Sequence, residues 1–224
     1  MSNFDTYKRF LRVNYPNFYS NTFIKLNKKQ VTYLTESVNT IYKSLLHLSI
    51  LRENESSIFL NETEQLLLRL LITIPNNDSF SINLIYRAIS ESLLRFIILK
   101  SPNNNLNQEL LNDYSFSQLR QTIQQDSFLF RRKEKFNYLL SLFSSSSLKI
   151  HNPSKIIKNM DCLDDIFYQN LNYKYLQKVT NNLNKSFYKF IIPEFLKTKS
   201  SDLPLSDKVK IKRYLSNSEI NAYH

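Results

Sequence analysis

Not one of the 224 residues is glycine. Glycine takes positive φ without steric cost, and phosphate-cradling loops, dinucleotide-binding turns, nucleophile elbows and tight hairpins all use it there. A chain without it is steered away from nucleotide-binding α/β folds and hairpin-rich sheets. The single cysteine, Cys162, excludes an intramolecular disulfide and any cysteine-based structural zinc site. One cysteine also fits a reducing, cytoplasmic setting. No apolar run reaches about 18 residues, so no membrane span is expected. The N-terminus, MSNFDTYKRF, lacks the apolar core of a secretion signal.

Helical periodicity fills the chain instead. The stretch 81–100, SINLIYRAISESLLRFIILK, is apolar almost all round, which marks a helix buried in a core. A polar stripe crosses it at four-residue steps: Asn83, Arg87, Glu91 and Arg95. Charges on such a helix must be paired or line a cleft, because an unpaired buried charge is too costly. Over residues 27–53, Val31, Leu34, Val38, Ile41, Leu45 and Leu48 alternate three- and four-residue steps along one face. Asn61 with Glu64 suggests the cap of a second helix running to about Thr73, with Leu66, Leu67, Leu70 and Leu71 inward. Pro75 to Asp78 reads as a turn, after which Ser79 or Ser81 can cap the central helix.

Shorter helices are expected over 4–12, 106–112 and 115–125, with residues 126–130 crossing over. Another helix follows the basic run Arg131, Arg132, Lys133, Glu134 and Lys135 and includes four serines, Ser144 to Ser147, before Pro153 closes it. A long run over 161–197 begins with Asp161, Asp164 and Asp165, which suit a helix N-terminus, and is kinked or ended by Pro193. A basic helix over 206–215 finishes the chain. No strand, hairpin or repeat signal competes. The expected fold is all-α: a bundle of long antiparallel helices over 27–160, an arm over 1–26, and a C-terminal helical extension over 161–224 packed on the same domain.

The formal net charge is +11 and the pI about 9.6. Such a balance favours phosphate-rich partners, nucleic acid among them. Lysine-rich, asparagine-rich composition also follows from an AT-rich genome, for reasons unrelated to a ligand. The basic cluster Arg131, Arg132, Lys133 and Lys135, with Lys149, is the candidate nucleic-acid contact. At a helix start such a cluster opposes the helix dipole and hints at an external anion. The bland alternative is a solvated surface.

Catalytic chemistry is sparse. His47, His151 and His224 are scattered, so neither a metal site nor a cofactor is expected. His47, lone on its helix, reads as a structural residue. Ser144 to Ser147 lie near His151, but no oxyanion loop accompanies them. The constellation left is His151 with Arg87, Glu91 and Arg95. If the two helices lie side by side, these groups supply an acid/base and cations to hold a phosphate, as metal-independent RNA cleavage requires. The structural alternative is an Arg–Glu–Arg network that pins the helices.

The stretch SINLIYRAISESLLRFIIL, the small helix FSQLRQTI and then NYLLSLFSSSSLKIHN resemble a HEPN-type helical domain over about residues 60–155. The resemblance rests on an R-x-x-x-E-x-x-x-R core helix (Arg87, Glu91, Arg95) and on a later helix ending in Ser147, His151 and Asn152. It implies a dimerising helical bundle of the kind found in bacterial abortive-infection and toxin–antitoxin systems, many of them metal-independent endoribonucleases with a protein partner. His151 then falls at the catalytic histidine. The signature arginine would fall at 144–146, where this chain has serine. The other reading the residues leave open is a non-catalytic nucleic-acid-binding or protein-interaction module.

Overall fold

In the computed structural model, which describes residues 3–151, 171–196 and 200–224, every described element is helical. The aromatic N-terminus forms α1 (Asn3–Asn14) and α2 (Pro16–Asn21). It packs as an arm on the body: Phe4, Tyr7 and Leu11 are buried, and the Tyr7 hydroxyl donates to the Leu71 carbonyl at 2.8 Å.

The first long helix, α3 (Lys28–Asn54), starts where Asn27 and Gln30 form a reciprocal capping box. Leu34, Val38, Ile41 and Leu48 are buried along it, as their spacing requires. The next helix, α4 (Ile58–Thr73), begins earlier than the Asn61–Glu64 pattern suggests. Ser57 is its cap, because Phe59 and Leu60 belong to the core and draw the helix back to include them. After the turn, Asp78 rather than Ser79 or Ser81 caps α5 (Ser79–Leu99), accepting from the amides of Phe80 and Ser81. Asn77, in that turn, is the one non-glycine at positive φ among the described residues (φ 54°). Asparagine stands here for the glycine the chain lacks, and its side chain also accepts from the Leu171 amide at 2.8 Å.

Two short helices, α6 (Gln108–Asp113) and α7 (Phe116–Gln125), lead into α8 (Ser127–His151). The expected crossover at 126–130 is thus a helix start. Asp126 caps it through the amides of Phe128 and Leu129, which moves the basic run from the helix entry into its second and third turns. The serine run continues α8: Ser146 is fully buried, and Ser144 and Ser145 donate to the carbonyls of Leu140 and Leu142.

The helix expected over 161–197 is not continuous: Leu171 and Asn172 are not helical, and Asn172 caps a new helix, α9 (Tyr173–Ser186), by accepting from the Tyr175 amide at 3.0 Å, while Asp161, Asp164 and Asp165 lie outside the described residues. The next turn, Phe187–Ile191, widens to π geometry and passes into α10 (Ile192–Phe195), which holds Pro193 in its first turn. The chain closes with α11 (Leu205–Tyr214) and α12 (Asn217–Ile220).

The long helices pack in a closed circuit: α3 on α4, α4 on α5, α5 on α8, α8 on α9, and α9 back on α3. The most apolar helix, α5, lies between α4 and α8, with Ile82, Tyr86, Ile89, Leu93, Leu94, Phe96, Ile97 and Ile98 at 1% exposure or less. Each such burial contributes about 2 kcal/mol, so α5 anchors the core. Aromatic contacts run from Phe136 to Phe190 (4.7 Å between centroids), to Phe195 (5.5 Å) and to Phe96 (5.7 Å). They tie the π turn and α10 to α8 and α5. No described helix is long and apolar enough to cross a membrane.

Candidate nucleic-acid interface

The polar stripe of α5 is divided among three neighbours. Buried Asn83 donates to the Ser79 carbonyl at 2.6 Å and faces the Tyr175 hydroxyl of α9 at 3.4 Å. Arg87 lies over the ring of Phe143 on α8, 4.8 Å from its centroid. Glu91 and Arg95 form an ion pair at 2.8 Å, and the rest of the Arg95 guanidinium holds the end of α6. Its Nε donates to the Leu111 carbonyl at 2.9 Å and its Nη2 to the Tyr114 carbonyl at 3.1 Å. Three acceptors engage Arg95 at once, in the planar fork geometry that only a guanidinium supplies. The side chains of His151 and Lys149 lie outside the described part of the structure. The backbone carries α8 through His151, two turns beyond Ser144.

The basic run separates into two sets. Arg132 and Lys135 both reach Glu194 of α10 at 3.1 Å, and Arg132 also covers the Phe128 ring at 4.0 Å. These two cations fasten α8 to the end of the chain's long helical run. Arg131 is exposed. Lys133 instead faces an open cleft of about 180 Å³ between α7 and α8.

That cleft carries the chemistry of an anion site. Arg120 of α7 and Lys133 of α8 face it, together with Asn137, Ser141 and Ser144 one, two and three turns further along α8. Neither cation is paired with a carboxylate among the described residues. Phe116 and Leu140 form the apolar wall; Phe116 stacks on Phe143 with centroids 3.5 Å apart, and Phe143 also receives Arg87. One wall of the site is therefore linked through Phe143 to the stripe of α5. Two unpaired cations and an amide beside an aromatic wall suit a phosphate oxygen better than an apolar ligand. Arg120 escapes a search for charge clusters because it stands alone in its segment. Its one legible signal is that it lies off the Leu119–Ile123 face, which is buried.

A second polar cluster lies where the C-terminal segment crosses α3 and α9. Glu219 of α12 is buried and accepts from four donors: Lys43 Nζ (2.9 Å), the Ser216 amide (2.7 Å), the Ser216 hydroxyl (2.6 Å) and Asn184 Nδ2 (2.6 Å). Burial alone would raise its pKa; the Ser216 and Lys43 donors overcome that and hold it at about 2. His47, fully buried, has Nδ1 2.7 Å from the Tyr223 hydroxyl and stacks between Phe187 and Tyr223. Burial pushes its pKa down to about 4, so the ring is neutral at physiological pH. This cluster, buried except at Lys43, acts as a clasp that holds the tail on the bundle.

Among the described residues, no group of three or more His, Cys, Asp and Glu side chains converges as a metal site would require. Neither a protein-family model, nor a curated protein, nor a solved structure matches the chain.

Proposed function

We propose that this chain is an RNA-acting helical protein whose α7–α8 cleft grips the phosphate backbone, in the manner expected of a HEPN-like component of a bacterial antiphage or toxin system. The observation that carries this reading is the cleft itself, where Arg120 and Lys133 converge with Asn137, Ser141 and Ser144 without an acidic partner. The net charge of +11 adds long-range attraction for a polyanion. Binding is the primary role in this reading, since Arg95 and Glu91 are engaged in holding α6.

Arg120→Ala combined with Lys133→Ala is expected to weaken binding of a fluorescein-labelled single-stranded RNA at least tenfold. Fluorescence anisotropy across a salt series should also show the log–log slope reduced by about 1.4, since each lost phosphate contact removes about 0.7. Both side chains project from the helix surface, so helicity should be unchanged. Wild-type affinity and slope in this variant would exclude the cleft.

Metal-independent cleavage is the second reading, favoured by His151 ending the same helix that lines the cleft. Total bacterial RNA incubated in EDTA should then be cut by the wild type and left intact by His151→Ala. Intact RNA with both proteins would leave binding as the activity.

A further inference from the structure

We infer that the outward face of α9 is a second nucleic-acid contact, a track along which a single strand leaves the α7–α8 cleft. Lys174, Lys178 and Lys185 recur at helical steps, with Asn181 and Asn182 between them, so all five share one side of α9. They border a shallow open groove of about 480 Å³. From Lys174 to Lys185 the row extends about 16 Å along the helix, at about 1.5 Å per residue. None of the three lysines is paired with a carboxylate among the described residues. Asn181 accepts the Thr40 hydroxyl on its oxygen at 3.0 Å, which leaves its NH₂ group available as a donor. Glu36, at the groove's edge, is held by Gln177.

The track reaches α8, the helix that also lines the cleft, at one residue. Lys185 Nζ lies 6.0 Å from the centroid of the Tyr138 ring. Tyr138 is 36% exposed and lies about 100° round α8 from Asn137, which lines the cleft. A single strand held between Arg120 and Lys133 that crosses α8 meets Tyr138, on which a base can stack, before it reaches the lysines of α9. Lysines, amide donors and an exposed ring along a groove are what sequence-tolerant single-strand binding uses. A membrane surface fits less well. An interfacial helix must offer an apolar face to the lipid, and the apolar face of α9 (Leu176, Val179, Leu183) is buried in the bundle. The inference rests on reading the cleft as a nucleic-acid site.

The test compares the full chain with two variants, Lys174→Ala/Lys178→Ala/Lys185→Ala and Tyr138→Ala, binding fluorescein-labelled oligouridine across a salt series. The triple variant should bind more weakly, with its log–log salt slope reduced by about 2, three contacts at about 0.7 each. Tyr138→Ala should bind about tenfold more weakly with the slope unchanged, because stacking releases no counterions. A triple variant with wild-type slope and affinity overturns the track while leaving the cleft intact. The reverse pattern, where the cleft variant binds normally and the triple variant does not, removes the cleft and leaves α9 as the binding surface. A wild type that sediments with phosphatidylserine vesicles but does not bind oligouridine overturns both.

Discussion

Glu219→Ala is expected to lower the unfolding free energy by about 3 kcal/mol, measured by urea denaturation at neutral pH. Removing one partner of a buried ion pair costs about 3–5 kcal/mol, because the remaining groups are left desolvated and unpaired. Lys43 keeps 29% side-chain exposure and can turn partly to water, which places the expectation at the lower end. Asn184 has no such escape, being 4% exposed. The loss should be local first. The segment from Ser216 to Tyr223 is held on α3 and α9 through Glu219 and the His47–Tyr223 pair, so its amides should lose hydrogen-exchange protection before the helices around α5 do. Glu219→Gln retains an acceptor oxygen for Asn184 or Ser216 and should lie between the wild type and the alanine variant. An alanine variant as stable as the wild type would mean that the clasp contributes nothing.

The second large effect is acid lability centred on His47. Its folded pKa of about 4 lies below the ordinary value of 6.5, because burial penalises the charged ring. The groups facing it are Glu219, which raises its pKa, Lys43, which lowers it, and the Tyr223 hydroxyl. Between pH 6.5 and 4 the unfolded chain binds a proton there and the folded chain does not. Stability is therefore fully present above about pH 6.5 and falls as the pH drops, by about 3 kcal/mol at pH 4, at 1.36 kcal/mol per unit. Glu219 acts in a lower window. Its depressed pKa stabilises above about pH 4.5, and that contribution disappears as the pH falls toward 2. Urea denaturation at pH 7, 5.5 and 4.5 separates the two. The wild type should weaken steadily, whereas His47→Phe, less stable at pH 7 because the Tyr223 hydroxyl loses its partner, should vary little over the same range. Equal pH dependence in both proteins would show that the burial of His47 does not set the acid limit.

Much of this architecture is legible in the chain. The three- and four-residue steps from Val31 to Leu48 become α3, and the all-round apolar stretch 81–100 becomes the most enclosed helix, because burying one helical face needs only local spacing. Boundaries are less legible where the core overrides a polar signal. Asn61 and Glu64 look like a cap, yet burial of Phe59 and Leu60 moves the start of α4 back to Ser57. Ser144 to Ser147 are poor helix formers, and packing around Ser146 is what carries α8 through them. The clasp is half legible. Ser216 with Glu219 has capping-box spacing, but nothing near them points to Lys43, 176 positions earlier.

The sequence by itself determined an all-α chain: without glycine it lacks the residue suited to tight turns, and its apolar residues recur with the period of a helix. It also determined the basic character, a sum over residues that no packing changes. Only the tertiary structure decided what each charge is for. Lys133 and Lys135 are indistinguishable in the run that contains them, but Lys135 meets Glu194 across the bundle while Lys133 turns toward Arg120 and the cleft. The physical reason is range. Helical period assigns a side chain to a face using its near neighbours alone, whereas an ion pair depends on which residue a distant helix brings within about 4 Å.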